Sequence, residues 1–361
     1  MKIARALILA AALLTVRDNV FGESIKLART AVEFDFKDDG YYTTIPHIAL
    51  QGDIFYISDN SKHRVLAYRL QDNKLEFLRA IGRPGQGPGD LMRPTEISVS
   101  ADKLAVYDEH GISFFGPDGG FKSRFRLLSK STAMLYVKPD VYIATYDSGS
   151  LDLIQVYTET GEMPRSFQEK KSLHPLRYDI HKGLSPDGVE RIIFDGVLRA
   201  DGQILYYLSR RFGDFVKYTL SGKDVIVRDL APLLSGNEKA KADENRRMFL
   251  DEGFDLIKNN RRIPNVYLFR DAQIKDGRLY LLIDSWDISE KKQKKLIEFV
   301  EIDIASWRIL NAYSAETAAK WESAANFILL GDKDAPIFLT VLWDPEDEDK
   351  ICVFRPMRKA G

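Results

Sequence analysis

One pattern recurs along this chain and limits what it can fold into. A turn carrying Gly, Asp or Pro leads into a short apolar run, often closed by Asp. The copies are Gly52-Asp53 with Ile54–Ile57 and Asp59; Asp102-Lys103 with Leu104–Tyr107 and Asp108; Pro139-Asp140 with Val141–Ala144 and Asp147; Asp201-Gly202 with Ile204–Tyr207; Asp276-Gly277 with Leu279–Leu282 and Asp284; and Asp334-Ala335 with Ile337–Leu339 and Asp344. Each has companions. A strand-like run such as Ile97-Ser98-Val99 precedes the turn, and another such as Val65–Tyr68 or Phe299–Ile302 follows the Asp. A fourth run, such as Phe121–Leu127, follows a second turn. Short β-rich segments separated by turn residues read as hairpins. The continuous apolar runs suit strands buried on both faces, and the more polar fourth runs suit an outer position.

Four strands per copy, repeated six times, predict an all-β fold: a six-bladed β-propeller of four-stranded blades. The last copy has no fourth strand, while Val32–Phe36 alternates cleanly before the first. The N-terminal strand is therefore expected to close the last blade and hide an edge. Two segments break the rhythm. Ser235–Asn260 reads as one helical insertion between blades 4 and 5, with Ser235 and Glu238 as a capping box and Leu250, Phe254 and Ile257 on one face. Ser314–Ser323 reads as a shorter helix.

The N-terminus carries Lys2 and Arg5 ahead of an apolar run from Ala6 to Val16. That order is a secretory signal, too short to span a bilayer, with cleavage expected after Gly22. The domain expectation is a signal peptide over 1–22 and a single propeller domain over 23–361. The mature chain is expected to be extracytoplasmic, periplasmic or secreted, without a membrane span, and monomeric. Cys352 is the single cysteine, so no internal disulfide forms and packing must supply stability. The formal net charge is -1, and no basic excess points to nucleic acid.

The residues around the first copy carry a family likeness. Asp59-Asn60-Ser61-Lys62-His63-Arg64-Val65-Leu66-Ala67-Tyr68 resembles the centre of an NHL repeat, and Ile81-Gly82-Arg83 through Gly85-Gln86-Gly87-Pro88-Gly89-Asp90-Leu91 to Pro94 resembles the connector between two of them. The second copy, Asp108-Glu109-His110-Gly111, lacks the Arg. The resemblance implies an NHL-like propeller of the kind found among exported bacterial proteins.

Chemistry is sparse. The Gly-rich stretch lacks the Gly-Lys-Ser/Thr of a phosphate loop, has Asp90 where a dinucleotide fingerprint needs glycine, and precedes a strand. No Gly-x-Ser-x-Gly elbow is evident. His174 and His181 lie in an expected solvated loop. Lys291, Lys292, Lys294 and Lys295 form a basic hairpin tip. The Asp residues closing the apolar runs are repeated, whereas an active site is made once, so they are expected to accept backbone N–H bonds in turns. The first strands, which line the channel of a propeller, carry His47, Glu96, Asp195, Arg270, Asp271 and Asn326 as ligand-binding candidates. Glu96, Asp195, Asp271 and Asn326 offer oxygen ligands that suit Ca²⁺; the plainer account pairs Arg270 with Glu96 or an Asp. The leading expectation is a binding module for a protein, peptide or glycan. The alternative is a Ca²⁺-assisted lactonase- or lyase-type enzyme at the channel mouth.

Overall fold

The computed structural model describes residues 23–34, 47–71, 74–100, 102–127, 129–174, 186–223, 225–234, 239–240, 243, 246, 267–287, 294–317, 323–343 and 350–357. Two strands come first, β1 (Glu23–Ala31) and β2 (Glu33–Phe34). The six turns identified above then each join the first two strands of an antiparallel group. The groups are β3 (Ile48–Gln51), β4 (Ile54–Asp59), β5 (Arg64–Gln71) and β6 (Lys74–Ile81); β7 (Glu96–Ser100), β8 (Lys103–Asp108), β9 (Gly111–Phe115) and β10 (Phe121–Phe125); and β11 (Ser131–Val137), β12 (Asp140–Thr145), β13 (Asp152–Thr158) and β14 (Arg165–Glu169). After helices α1 (Lys170–Leu173) and α2 (Pro186–Ile193) come β15 (Gly196–Asp201), β16 (Ile204–Ser209), β17 (Asp214–Thr219) and β18 (Ile226–Asp229). The chain ends with β19 (Asp271–Lys275), β20 (Arg278–Asp287), β21 (Lys294–Asp303) and β22 (Arg308–Glu316), then β23 (Ser323–Leu330), β24 (Ile337–Trp343) and β25 (Lys350–Pro356).

The apolar runs are the second strands. β4, β12 and β16 are buried at every position after the first, because each is covered on both faces by the neighbouring groups. The core is accordingly layered. Ala105, Ile112 and Phe114 pack on Met134, Val141 and Ile143; Tyr142 and Ile154 pack on Leu205 and Val216; and Phe55 and Ile57 pack on Leu339 and Val341, joining the beginning of the chain to its end. First strands touch in sequence, β3 on β7, β7 on β11, β11 on β15, β15 on β19, β19 on β23, and β23 back on β3. The ring is closed, and the chain is an all-β propeller.

Six separate four-stranded blades are not what forms. Hydrogen bonding produces five sheets: three of four strands, one of five, and one of eight in the order β19-β20-β21-β22-β1-β25-β24-β23. The cause is β1. Its first residues, Glu23–Lys26, pair in parallel with Asn311–Ser314 of β22, and its last, Leu27–Ala31, pair antiparallel with Cys352–Pro356 of β25. A strand of nine residues is long enough to leave one group and join the next, so the last two repeats share a sheet.

The closing strand is also not the one expected. β1 lies upstream of Val32–Phe36, and within that segment Glu33 and Phe34 form β2, laid in parallel on Lys74 and Leu75 of β6. The shorter helix expected at Ser314–Ser323 does not form: β22 runs through Glu316 and β23 starts at Ser323, with 318–322 outside the described residues. Of the helical insertion at 235–260, only Lys239, Ala240, Asp243 and Arg246 are described, each helical; the rest lies outside the described residues. So do the signal segment 1–22 and the tip of the basic hairpin, 288–293.

Candidate functional site

A first strand bonds to its second strand on one side and turns its other edge toward the axis. That edge holds backbone N–H and C=O groups that need partners, and side chains of the preceding first strand supply them. The Glu96 carboxylate on β7 accepts from the Met134 amide of β11, and Ser98 Oγ accepts from the Tyr136 amide at 2.9 Å. Thr132 Oγ1 on β11 donates to the Phe194 carbonyl at 2.7 Å. Arg199 Nε on β15 donates to the Ala272 carbonyl of β19 at 2.6 Å. On β19, Asp271 Oδ2 accepts from the Phe327 amide at 3.0 Å and Gln273 Nε2 donates to the Phe327 carbonyl at 2.8 Å. The polar residues of the axis stitch one first strand to the next.

Five of the six candidates gather at the end of the ring where first strands begin. Arg210 links them. It sits just past β16, 3.4 Å from Asp195 Oδ1, and its charge is felt by Glu96, Asp271, Tyr267 and His47. Burial pushes the Glu96 carboxyl up to about 7, against the pull of Arg210, the Met134 amide and Arg199. Burial pulls the His47 imidazole down to about 4, with Asp271 opposing and Arg199 and Arg210 adding to the effect. The His47 amide donates to Ser58 Oγ at 2.8 Å, while its buried Nδ1 has no hydrogen-bond partner among the described residues. Asp271, 2% exposed, is held by Arg199 and by the Ala272 amide at 2.8 Å. Asp195 also takes Arg211 Nε at 3.4 Å. Arg270 lies with its guanidinium 5.0 Å from the Tyr267 ring centre. Asn326 sits at a register shift of β23, where its carbonyl accepts from Thr340 Oγ1 and the amide of the next residue, Phe327, donates to Asp271.

Sequence reasoning found these carboxylates and missed the arginines that hold them, Arg199 and Arg210. One signal was available. The fourth copy is the one whose apolar run is not closed by Asp; Ser209-Arg210-Arg211 stands there instead. For a metal the donors do not fit. Asp195 and Asp271 are committed to arginines, Glu96 to an amide, and among the described residues no group of three or more His, Cys, Asp or Glu is arranged to hold an ion. Beside these carboxylates lies a charged aromatic cluster: buried Arg211 donates to the half-buried Tyr267 hydroxyl at 3.1 Å and lies 4.4 Å from the ring centre, with Arg270 over the same ring.

The Gly-rich loop folds on its own carboxylate. Asp90 Oδ2 accepts from the Gly87 amide at 2.8 Å and Oδ1 from Arg83 Nε at 2.8 Å. Gly85 has φ +156°, and a Cβ there would stand 2.2 Å from Asp90 Oδ2, so glycine is required. The loop amide that an anion would seek already has one. Three of the repeated Asp residues take turn roles: Asp59 accepts from the Lys62 amide and Arg64, Asp108 from the Met92 and His110 amides, and Asp147 from the Gly149 amide, while Asp344 lies outside the described residues. His174 is not a solvated loop residue. It is 5% exposed, pairs with Asp214 at 2.7 Å and packs on Phe212. Beside it, Lys170 of α1 and Glu190 of α2, each 1% exposed, form an ion pair of 2.5 Å under Phe194. On the opposite rim a cleft of about 340 Å³ opens between the third and fourth groups, lined by Pro139, Tyr142, Arg165 and Leu220.

No protein-family model matches the chain, and no curated protein matches it. Solved structures do. An exported protein of Bacteroides fragilis superposes with a TM-score of 0.54 at 12% identity, over 94% of this chain and 99% of that one. U3-55K gives 0.52 at 8% identity, over 91% and 98%. The WD40 repeats of RRP9 give 0.51 at 8% identity, over 94% and 99%. At such identities the likeness is one of fold, and the fold is the β-propeller.

Proposed function

We propose that this chain is an exported, NHL-like propeller that acts as a binding module, engaging a protein, peptide or glycan at the rim around His47, Asp195, Arg210, Arg211, Tyr267 and Arg270. The observation that carries the reading is the division of labour at the axis. Glu96 and Asp271 are engaged in stitching strands and in arginine pairs, and among the described residues no carboxylate set is arranged to hold a metal ion. The loops above them offer arginine forks and an aromatic ring, groups that recognise ligands through directed hydrogen bonds and stacking.

The NHL-like assignment draws support from Asp59 and Arg64, which meet at 3.0 Å across the turn between β4 and β5, with Asp59 fully buried. Export draws on Lys2 and Arg5 ahead of the apolar run Ala6–Val16, with the mature N-terminus expected after Gly22.

The test is binding to peptide and glycan arrays by the purified chain and by Arg210→Ala and Tyr267→Ala variants, with hydrolysis of a lactone panel in calcium measured in parallel. A saturable ligand whose affinity falls about tenfold, roughly 1.4 kcal/mol, in both variants is the expected result. Calcium-dependent lactone turnover with no array ligand would defeat the reading.

A further inference from the structure

The outer edges of the sheets are not alike. β6 is covered by β2 and β22 by β1, both laid on in parallel. β10, β14 and β18 end their sheets. β10 reads Phe-Lys-Ser-Arg-Phe and β14 Arg-Ser-Phe-Gln-Glu, with the charges that keep an edge from pairing. β18 and the residue before it are different: Val225, Ile226 and Val227 are 47%, 46% and 51% exposed. An apolar strand edge open to solvent is a template for another strand.

The sequence around this edge specifies what fits it. Lys223-Asp224-Val225-Ile226-Val227-Arg228-Asp229 is complementary to itself when two copies run antiparallel about Ile226. Lys223 then stands opposite Asp229, Val225 opposite Val227, and Ile226 opposite its own copy. Moving the centre to Val227 sets Val225 against Asp229 and Ile226 against Arg228, and the match is lost. Directly opposed residues of opposite charge and β-branched pairs are the contacts that favour one register over another. Lys223 and Arg228 are exposed, and Asp229 keeps 40% of its side chain exposed beside Arg246.

We propose that two copies of this chain associate edge to edge through β18, antiparallel, with the two-fold axis at Ile226. The pairing joins two four-stranded sheets into one of eight, the same outcome that β1 produces within a single chain. It replaces the expectation of a monomer, and it does not depend on the binding-module reading. An interface of one strand per partner is small, so the association is weak and concentration-dependent.

Sedimentation of the purified chain from about 1 to about 100 µM, a range suited to a weak contact, tests it. The weight-average mass is expected to rise across the series from near the monomer value toward twice it. Ile226→Lys, on a side chain exposed in the monomer, is expected to hold the chain at monomer mass with an unchanged melting temperature. Ile226→Cys is expected to give a disulfide-linked dimer on mild oxidation. Val225→Cys is not, because its own copy then lies two residues away, beyond disulfide reach; native Cys352 is buried and does not interfere. A chain that stays monomeric throughout, a dimer that survives Ile226→Lys, or equal crosslinking at 225 and 226 overturns the proposal. So does a wild-type monomer in which the cysteine at 226 resists a maleimide, since another segment of the chain would then cover the edge.

Discussion

Glu96 and His47 face the same arginines and titrate in opposite senses. Between pH 4.5 and about 7 the folded chain keeps a proton on Glu96 that the unfolded chain has released, so this group's contribution to stability falls as pH rises. Between about 4 and 6.5 the unfolded chain carries a proton on His47 that the folded chain lacks, so its contribution rises with pH. Each is on the order of 3 kcal/mol, and over the shared window they oppose one another. Glu96→Gln, which keeps an acceptor for the Met134 amide, is expected to show a melting temperature that climbs more steeply than wild type from pH 4.5 to 6.5. His47→Asn is expected to show the reverse slope, falling toward pH 7. Equal slopes in all three proteins would refute the pairing. The candidate residues themselves were legible in sequence because polar side chains on strands crowding an axis stand out. Their partners were not, since Arg199 and Arg210 reach them across strands more than fifty residues apart in the chain from Asp271 and Glu96.

Among the elements, the connector between β6 and β7 shows how a loop that looks chemical is structural. Asp90 is the hinge of it, taking the Gly87 amide and Arg83, while Arg124 of β10 donates to its carbonyl. Asp90→Ala leaves the Gly87 amide and Arg83 without their shared acceptor, and a lower urea midpoint than wild type is expected. A variant as stable as wild type would show that the glycines and prolines hold the loop unaided. The turns of the six repeats were readable because Gly, Asp and Pro act locally. The expected helix at 314–323 failed because a window of helix-forming residues was outweighed by the ladder that Leu296–Glu298 of β21 offers to Ser314–Glu316. Likewise His174 looked like a loop residue, and only the approach of Asp214 and Phe212 from the next group buries it.

At the scale of the whole molecule, β1 decides how the ring is joined. It is hydrogen-bonded to both β22 and β25, so its removal exposes two edges at once. A chain beginning at Val32 is expected to melt at a lower temperature and to aggregate with concentration, as read by light scattering during heating. An unchanged, reversible melt would mean that the ring is sealed by Phe55, Ile57, Leu339 and Val341 alone. The amino-acid sequence by itself determined the all-β class, the six turns and the burial of each second strand, because these follow from local turn chemistry and from the period of apolar residues. Tertiary structure alone decided which N-terminal strand closes the ring, that five sheets form rather than six, and which charges meet at the axis. Those outcomes depend on strand edges and side chains that come together only when the ends of the chain meet, and no local pattern records what lies across that gap.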